Sequence, residues 1–364
     1  MLFTDPKSEY EYFKSEIEDE WHSIRNSGRY LFGPQVERLE QNFKELTGFR
    51  QAIAVKNCTD AISLILQVVW KPGMPVILPN FGAYPTAIAV ARITGTQAIH
   101  FVDIDHTFCM DVSKLPDIRK GIIIPVNLFG NNAALMQISL YADKNNHIMI
   151  TDCAQSTGSS FSSKAHLVND EFKVFSFYPT KPLASMGDGG MIVTDNEFWA
   201  NELRALRFYG NVEGTISQAG INSRMDEWQA AVVNAKMESE IDFKRLILVR
   251  RENAARYKKI ISGMPEHFYN IWHQFPVLFK ERDEVIIPEL KKREIPFMIH
   301  YDRHISEQPV FVDNKTIKVG FRVNNKVISL PVHAHLAETD IQKVEQFLHD
   351  FKSYEAVTLS GVEE

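Results

Sequence analysis

The feature that most constrains the fold of this chain is an alternation of short apolar runs with helical patterns. The apolar runs have four to six residues and predict buried strands at 52–55, 74–78, 98–102, 121–126, 147–151, 173–176 and 190–194. Between them, apolar residues recur at three- and four-residue spacing, as in residues 60–69. Strands that alternate with helices build a mostly parallel sheet covered on both faces. The sequence therefore predicts an α/β domain with a mostly parallel, seven-stranded sheet.

A second, smaller domain is predicted to follow this sheet. Residues 225–248 are helical in pattern and highly charged, which predicts one long helix leading out of the first domain. Beyond it, apolar runs predict strands at 271–277, 297–300 and 327–330, and a last periodic segment predicts a helix at 338–351. A chain of 364 residues is long enough for two domains. We expect a large domain over 1–245 and a small α+β domain over 246–364.

Charge and cysteine content disfavour several classes of protein. The formal net charge of −6 provides no broad basic surface for nucleic acid or an anionic membrane. Residues 72–91 are uncharged but contain four prolines, which no membrane-spanning helix would tolerate. The charged N-terminal segment has no apolar signal core. Cys58, Cys109 and Cys153 are too few and too widely spaced for a disulfide framework or a zinc site. We expect a cytoplasmic protein without a metal.

Polar residues follow the first predicted strand, at the edge where parallel sheets bind ligands. Residues 57–60 read Asn-Cys-Thr-Asp and open a helix. The free N–H groups and the dipole of a helix start favour an anion. An ordinary N-cap has the same composition and, taken alone, is the more frequent explanation.

Asp152 and Gln155 follow the fifth predicted strand. A carboxylate at a strand end can pair with a protonated pyridine nitrogen, which lets the ring absorb electrons when a substrate C–H bond breaks. Gln155 is close enough in sequence to contact a phenolic oxygen of such a ring, or the substrate. A helix cap explains the pair equally well.

Lys181 lies in a loop between the sixth and seventh predicted strands. A lysine that is constrained and partly removed from water has a lowered pKa and a nucleophilic amine. The hydroxyls of Ser176 and Thr180 can bind a phosphate, and the glycines of 187–190 allow a tight turn beside it. Residues 220–227 precede the long helix and are also typical of a helix cap.

In their order along the chain, these motifs resemble the DegT-type nucleotide-sugar aminotransferases of pyridoxal-phosphate fold type I. The resemblance covers nearly the whole chain and is carried by Gly33-Pro34 with Glu37 and Glu40, and by residues 57–61, 101–105, 125–130, 152–155, 176–181, 187–190, 207–210, 222–225, 300–301 and 329–333. Each motif alone is weakly specific, whereas their order is highly specific. The resemblance implies a pyridoxal 5'-phosphate cofactor, an amino acid donor (glutamate or glutamine) and a nucleotide-linked keto-sugar acceptor.

The resemblance also implies roles for residues at the cofactor ring. Lys181 is expected to hold the cofactor as a Schiff base and to move protons. Asp152 is expected to pair with the pyridine nitrogen, and Gln155 to contact the phenolic oxygen. Family members usually place an aromatic residue where this chain has Ala83, so we expect the adjacent Tyr84 to stack on the ring.

Further roles concern the phosphate and a second subunit. Thr59, the backbone of Asp60, and Ser176 resemble phosphate ligands. Asn222 resembles an asparagine that reaches the phosphate bound by the neighbouring subunit, which implies a homodimer with shared active sites. Family members commonly have histidine where Asn127 stands, and the substrate contacts near this position are expected to differ accordingly.

Substrate contacts are expected from charged and aromatic side chains near the mouth of the site, namely Arg29, Tyr30, Tyr178, His300 and Tyr301. His333 and His335 are interpreted as an incidental pair, and no metal is assigned. Residues 186–190 resemble members that act at the third sugar carbon, whereas Lys181-Pro182 resembles members that act at the fourth. The expected role is amino-sugar synthesis for a surface polysaccharide such as the lipopolysaccharide O-antigen, or for a natural product.

Three alternatives to this reading stay open. The same scaffold serves aminotransferases that act on keto-cyclitols. It also serves sugar dehydratases, but these lack the lysine, so Lys181 disfavours them. The third alternative is a non-catalytic regulatory or binding protein on this fold. It is disfavoured by the full set of Asp152, Gln155, Lys181 and Asn222.

Overall fold

The computed structural model describes residues 1–159, 170–261, 271–311, 323 and 325–352. Its helices are α1 Pro6–Tyr12, α2 Lys14–Ser27, α3 Pro34–Thr47, α4 Cys58–Val69, α5 Pro85–Thr94, α6 Leu135–Asn145, α7 Glu197–Leu206, α8 Glu227–Glu238, α9 Glu240–Lys258, α10 Ile287–Lys292 and α11 Glu338–Phe351. Its strands are β1 Gln51–Val55, β2 Val76–Pro79, β3 Ile99–Val102, β4 Ile122–Ile123, β5 Ile148–Asp152, β6 Phe172–Ser176, β7 Gly190–Thr194, β8 Asn211–Val212, β9 Thr215–Ile216, β10 Phe275–Leu278 and β11 Val327–Leu330.

The first seven strands form one sheet in the order β1-β7-β6-β5-β4-β2-β3. Within it, β7 runs antiparallel to its neighbours β1 and β6, and the other neighbouring strands pair in parallel. The carboxyl ends of β1, β5 and β6 therefore lie at one edge of the sheet. The loop from β6 to β7, which carries Lys181, crosses that same edge. Because ligands bind at this edge in parallel α/β sheets, the topology brings the predicted site residues together.

Apolar residues on both faces of the sheet explain why helices cover it on both sides. Ile53 and its cross-strand partner Ile192 belong to the core that α4 and α5 cover. Ala54 and its partner Met191 belong to the core that α3 and α8 cover. Side chains alternate between the faces of a strand, so a run that is apolar at every position builds two cores.

The predicted strands agree with the sheet except at β4. The run 121–126 predicted a strand of six residues, but β4 contains only Ile122 and Ile123. Pro125 follows and has no N–H for the ladder. Pairing resumes as a single bridge between Val126 and Asp152. The chain after the shortened strand therefore still lies beside the carboxyl end of β5, at Asp152.

The predicted long helix over 225–248 was wrong as a single element. The structure has α8 and α9, separated at Ser239. Ser239 adopts φ −80° and ψ 53°, outside the α-helical region, so α8 ends there. Charge and periodicity continue across this break, so the pattern did not indicate it.

The C-terminal part has a small sheet in which β10 and β11 pair antiparallel. The predicted strand 297–300 is absent from this described part of the chain, where Met298 only bridges Ser329. The predicted strand 271–277 is shorter because Ile271 donates its N–H to the carbonyl oxygen of Gly130 (3.1 Å) and Trp272 has φ 52°. The predictions for β11 and α11 are confirmed.

The boundary between 1–245 and 246–364 stays a prediction. Residue 245 lies inside α9, and a separate apolar core begins at Ala254 and includes Phe275, Ile328 and Phe347. The N-terminus lies against this part, because His333 Nε2 contacts the carbonyl oxygen of Leu2 at 3.0 Å. Among the described residues, no helix is long and apolar enough to span a membrane.

Candidate active site

A cavity of about 600 Å³ opens at the carboxyl edge of the large sheet. It lies between the start of α4, the loop before α5, the end of β5 and the loop after β6. Predicted site residues from four separate segments line it: Thr59, Asp60, Tyr84, Asp152, Gln155, Ser176, Tyr178 and Lys181. The fold therefore brings together side chains that are up to 122 positions apart in sequence (181 − 59).

Asp152 is a buried carboxylate with hydrogen-bond donors on both oxygens. The hydroxyl of Thr86 donates to Oδ2 at 2.7 Å, and the N–H of Ala154 donates to Oδ1 at 2.9 Å. The thiol of Cys58 lies 4.0 Å from Oδ1. Burial raises the pKa of Asp152, whereas the two hydrogen bonds and the positive charge of Lys181 lower it. A cationic partner placed beside this carboxylate would favour its ionised form.

Lys181 lies at the start of the β6–β7 loop, where its N–H donates to the carbonyl oxygen of Tyr178 at 2.8 Å. Burial lowers the pKa of Lys181, and the negative charge of Asp152 opposes the shift. A larger fraction of the amine is therefore neutral than in an exposed lysine, which is the state that attacks a carbonyl.

Gln155 connects the cavity to the C-terminal part of the chain. Its Oε1 accepts from the N–H of Phe129 at 2.7 Å, and its Nε2 donates to the hydroxyl of Tyr301 at 3.3 Å. Burial raises the pKa of Tyr301 to about 12, so this hydroxyl stays protonated at neutral pH. The side chain of Gln155 is thereby fixed in orientation from both sides.

The start of α4 is a capped helix N-terminus at the cavity wall. Asn57 Oδ1 accepts from the N–H of Asp60 at 2.8 Å, so the expected N-cap is present. Asp60 Oδ2 accepts from the hydroxyl of Ser223 at 2.9 Å. A Cβ at Gly190 would lie 2.8 Å from the backbone nitrogen of Cys58, so glycine is required where β7 approaches the helix start.

The donor set of the cavity fits a flat phosphorylated pyridine. A helix N-terminus with nearby hydroxyls suits a phosphate, a buried carboxylate suits a protonated ring nitrogen, and a lysine with a lowered pKa suits an aldehyde. A volume of about 600 Å³ lies in the range of small-molecule sites. The residues that meet these needs are Thr59, Asp152, Ser176 and Lys181.

A second cavity of about 360 Å³ adjoins the first, and Asp188 lines both. Asn222 lines the second cavity, and its Oδ1 accepts from Arg224 Nε at 2.9 Å. The guanidinium of Arg224 lies over the rings of Phe32, Phe208 and Tyr209 at 5.7, 5.1 and 6.0 Å. We call Arg224 and these three rings the Arg224 face.

Residues 11–349 match the DegT/DnrJ/EryC1/StrS aminotransferase family. The chain belongs to this family. A Pseudomonas aeruginosa member, named UDP-2-acetamido-2-deoxy-3-oxo-D-glucuronate aminotransferase, is 32% identical over 354 residues, which cover 93% of this chain and 97% of that protein. A "Pleiotropic regulatory protein" of Geobacillus stearothermophilus is 30% identical over 367 residues, covering 95% and 97%. The crystal structure of a DegT DnrJ EryC1 StrS aminotransferase from Brucella abortus matches with a TM-score of 0.85 at 28% identity, covering 97% and 99%.

Membership of the DegT/DnrJ/EryC1/StrS family confirms three expectations from the sequence. The fold is that of a type I pyridoxal-phosphate enzyme, with its mostly parallel seven-stranded sheet. The cofactor is pyridoxal 5'-phosphate. The reaction class is transamination.

Some predicted substrate residues lie away from the first cavity. Tyr30 is 51% exposed and stacks on Trp228 with ring centroids 5.9 Å apart, and Arg29 precedes it on the surface. His300 contacts the hydroxyl of Ser329 at 3.0 Å, and burial lowers its pKa to about 4. Within the single described chain, Arg29, Tyr30 and His300 do not line the cavity, and their substrate contacts stay predictions.

Thr86 lines the same cavity and contacts Asp152, although the sequence did not single it out. It is one threonine in the first turn of an ordinary apolar helix. The contact joins residues 66 positions apart, and no local pattern reports such a contact. The contact between Thr86 and Asp152 is recognised only in the folded structure, where α5 starts beside the end of β5.

Proposed function

We propose that this protein is a sugar aminotransferase that moves an amino group from glutamate or glutamine to a nucleotide-linked keto-sugar. The observation that carries the proposal is that Lys181 and Asp152 line one cavity beside the start of α4, close enough for their charges to interact. A regulatory protein without enzymatic activity would have no need of a buried amine and a buried carboxylate in that arrangement, since both are costly to bury.

The acceptor is proposed to carry its keto group at the third sugar carbon. The Pseudomonas aeruginosa relative is named for a 3-oxo sugar linked to UDP. The segment Met186 to Gly190 resembles family members that act at this carbon, and it passes the cavity wall at Asp188 and Gly189. A nucleoside diphosphate sugar is the class of acceptor that this likeness supports.

Lys181 and Asp152 carry the proposed chemistry. When bound, pyridoxal phosphate supplies an aldehyde that joins an amine and a ring that takes up electrons from a breaking C–H bond. Lys181 Nζ would hold the cofactor covalently. As a free neutral amine, Nζ would accept the proton of the donor α-carbon, and the ammonium so formed would give that proton up again. Asp152 keeps the pyridine nitrogen protonated through its carboxylate. The same two residues would serve the keto-sugar, with Lys181 as proton carrier and Asp152 as partner of the ring nitrogen.

Other residues of the cavity are proposed to bind and orient the cofactor. Thr59 and Ser176 offer hydroxyls to its phosphate. Asp60, in the first turn of α4, is proposed to contact the phosphate through its backbone, and its N–H also donates to the N-cap residue Asn57. Gln155 presents its amide, held by Phe129 and Tyr301, to the phenolic oxygen.

The ring face and the mouth of the cavity complete the proposed site. Tyr84 is 59% exposed at the cavity wall, which leaves its ring available to stack on the pyridine. Tyr178 is 52% exposed there and is proposed to contact the sugar.

A homodimer with shared active sites is proposed from the second cavity. Asn222 lies beside the cofactor cavity of its own chain and not in it. The adjacent Arg224 face presents Phe32 and Tyr209, which are 36% and 45% exposed, around a guanidinium. Aromatic and arginine side chains are enriched in protein interfaces. If a second copy binds at the Arg224 face, Asn222 of the first copy would lie near the cofactor of the second copy.

One incubation tests the proposed reaction. The purified protein is mixed with glutamate and, in parallel, with UDP- or dTDP-linked 3-keto or 4-keto sugars, and the aminated carbon is identified by NMR. We expect a 3-amino product, and glutamate alone should bleach the absorbance of the lysine-bound cofactor. Lys181→Ala should lose that absorbance, with turnover lower by about 10²–10⁴-fold.

The exposed Lys71 provides the matched control for this test, because Lys71→Ala removes an amine that does not line the cavity and should keep full turnover. A 4-amino product would overturn the assignment of the carbon. Normal turnover by Lys181→Ala would overturn the proposed mechanism.

A further inference from the structure

Asp152 is held differently at its two oxygens. Oδ1 faces the N–H of Ala154 (2.9 Å) and the weakly donating thiol of Cys58 (4.0 Å). Oδ2 accepts from the hydroxyl of Thr86 at 2.7 Å, a typical distance for a bond from a hydroxyl to a carboxylate. Among the described residues, Thr86 is the side-chain oxygen donor to this carboxylate.

The position of Thr86 is fixed by the start of α5. Pro85 begins the helix, and Thr86 is buried with 7% of its surface exposed. In a helix, a threonine hydroxyl commonly bonds a backbone carbonyl of the preceding turn, as Thr94 does with Val90 at 3.0 Å. Thr86 instead directs its hydroxyl across to β5.

We propose that Thr86 is a positioning residue for the cofactor, which acts by holding the carboxylate of Asp152 ionised and directed at the pyridine nitrogen. This inference rests on the proposed function, because it assumes that Asp152 pairs with that nitrogen. Thr86 does not touch the reacting atoms and is not itself catalytic.

Opposing effects act on the pKa of Asp152. Burial raises the pKa of Asp152, and the hydrogen bond from Thr86 is the largest of the effects that lower it. A hydrogen bond to the charged form of a group favours that form. Without the hydroxyl, Asp152 would more readily take a proton, and a neutral acid stabilises a protonated pyridine nitrogen less than a carboxylate does.

The test compares Thr86→Val, which keeps the shape but removes the donor, with Thr86→Ser, which keeps the donor. The 15N chemical shift of bound [15N]pyridoxal phosphate is measured against pH, together with kcat and KM for glutamate. In Thr86→Val, we expect the pyridine nitrogen to lose its proton at lower pH and kcat to fall about tenfold, which corresponds to one pKa unit. KM should change less than about twofold, and Thr86→Ser should match the wild type.

The matched control is Thr94→Val, which removes a hydroxyl from the same helix at a site that bonds only its own helix and the next residue. It should leave the 15N titration and kcat unchanged. If Thr86→Val does not fold, Thr86→Ala removes the donor without a branched side chain and should show the same shifted titration.

Two outcomes would overturn the inference. A Thr86→Val protein with the wild-type 15N titration would show that the hydroxyl does not act on the nitrogen. A Thr86→Ser protein as impaired as Thr86→Val would show that packing of the methyl group matters, and not the donor. Failure of the proposed function is seen separately, because the wild-type protein would then show no cofactor signal that depends on Asp152 or Lys181.

Discussion

Burial shifts the pKa values of Lys181 and Asp152 in opposite directions, and both shifts favour the neutral form of the side chain. It lowers the pKa of Lys181 and raises the pKa of Asp152, while each charge partly opposes the shift of the other. Neither shift is fully cancelled by the partner. The cavity therefore holds an amine prepared for nucleophilic attack beside an acid whose ionisation depends on its hydrogen bonds.

The titration of Lys181 in cofactor-free protein provides a test of this balance. Competitive acetylation, followed lysine by lysine with mass spectrometry, should give a midpoint for Lys181 below the ordinary value of about 10.4, because the buried ammonium is disfavoured. In Asp152→Asn the midpoint should move lower still, since the carboxylate that stabilises the ammonium is gone. A model lysine peptide in the same tube is the standard. A midpoint that rises in Asp152→Asn would contradict the argument.

The sequence alone indicated that Lys181, Asp152, Gln155 and Ser176 would lie near one another, because each stands at or soon after the end of a strand, and all four line one cavity. Local apolar patterns indicate where strands end. In a mostly parallel sheet the carboxyl ends of the strands lie at one edge, which is where ligands bind. Thr86 and the Gln155–Tyr301 contact depend on how distant segments pack. Local periodicity contains no information about such contacts.

At the scale of elements, a buried carboxylate joins α3 to α8. Glu227 is fully buried in the first turn of α8, and it accepts from the N–H groups of Gly33, Gln35 and Val36 at 2.8, 2.8 and 3.2 Å. These donors lie at the start of α3, where intrahelical partners are lacking and negative charge is favoured. A Cβ at Gly33 would lie 2.6 Å from Glu227 Oε2, so the approach requires a glycine.

Glu227→Gln is expected to destabilise the protein by about 1–3 kcal/mol, because an amide nitrogen would face backbone donors and one acceptor would be lost. Urea unfolding followed by circular dichroism measures the change. The control is Glu45→Gln, the same substitution at an exposed site on α3, which should stay within about 0.5 kcal/mol of wild type. Equal stability of both variants would show that Glu227 does not cap α3.

The elements that the sequence predicted correctly and those it missed differ for physical reasons. Short, mostly apolar runs predicted β1, β6, β7 and β11 well, because strands that are buried on both faces are rich in apolar residues. The end of β4 depends on one proline, and the break between α8 and α9 depends on the backbone angles of Ser239. A periodic pattern averages over several residues and does not resolve a change at one position.

At the scale of the whole molecule, the first cavity contains most of the residues proposed to bind the cofactor, but not Asn222. Lys181 and Asp152 share a cavity, whereas Asn222 lines the adjoining one beside Arg224. The sequence pattern describes how one chain folds, and it contains no direct information about how two copies meet. The expected role of Asn222 came from the family resemblance alone, and the Arg224 face is what the structure adds.

Shared sites make a definite prediction for mixed subunits. If Asn222 serves the partner's cofactor, a heterodimer of Lys181→Ala and Asn222→Ala has one site with both changes and one site with neither. Co-expression with two different affinity tags and purification through both isolates that heterodimer, and its turnover should be about half that of wild type, since one of two sites is intact. A heterodimer of Lys181→Ala and Asp152→Asn is the control, because both residues belong to one chain's cavity and neither site would be intact. Equal, negligible turnover in the two heterodimers would place Asn222 in the site of its own chain, and a fully active Asn222→Ala homodimer would remove it from the site altogether.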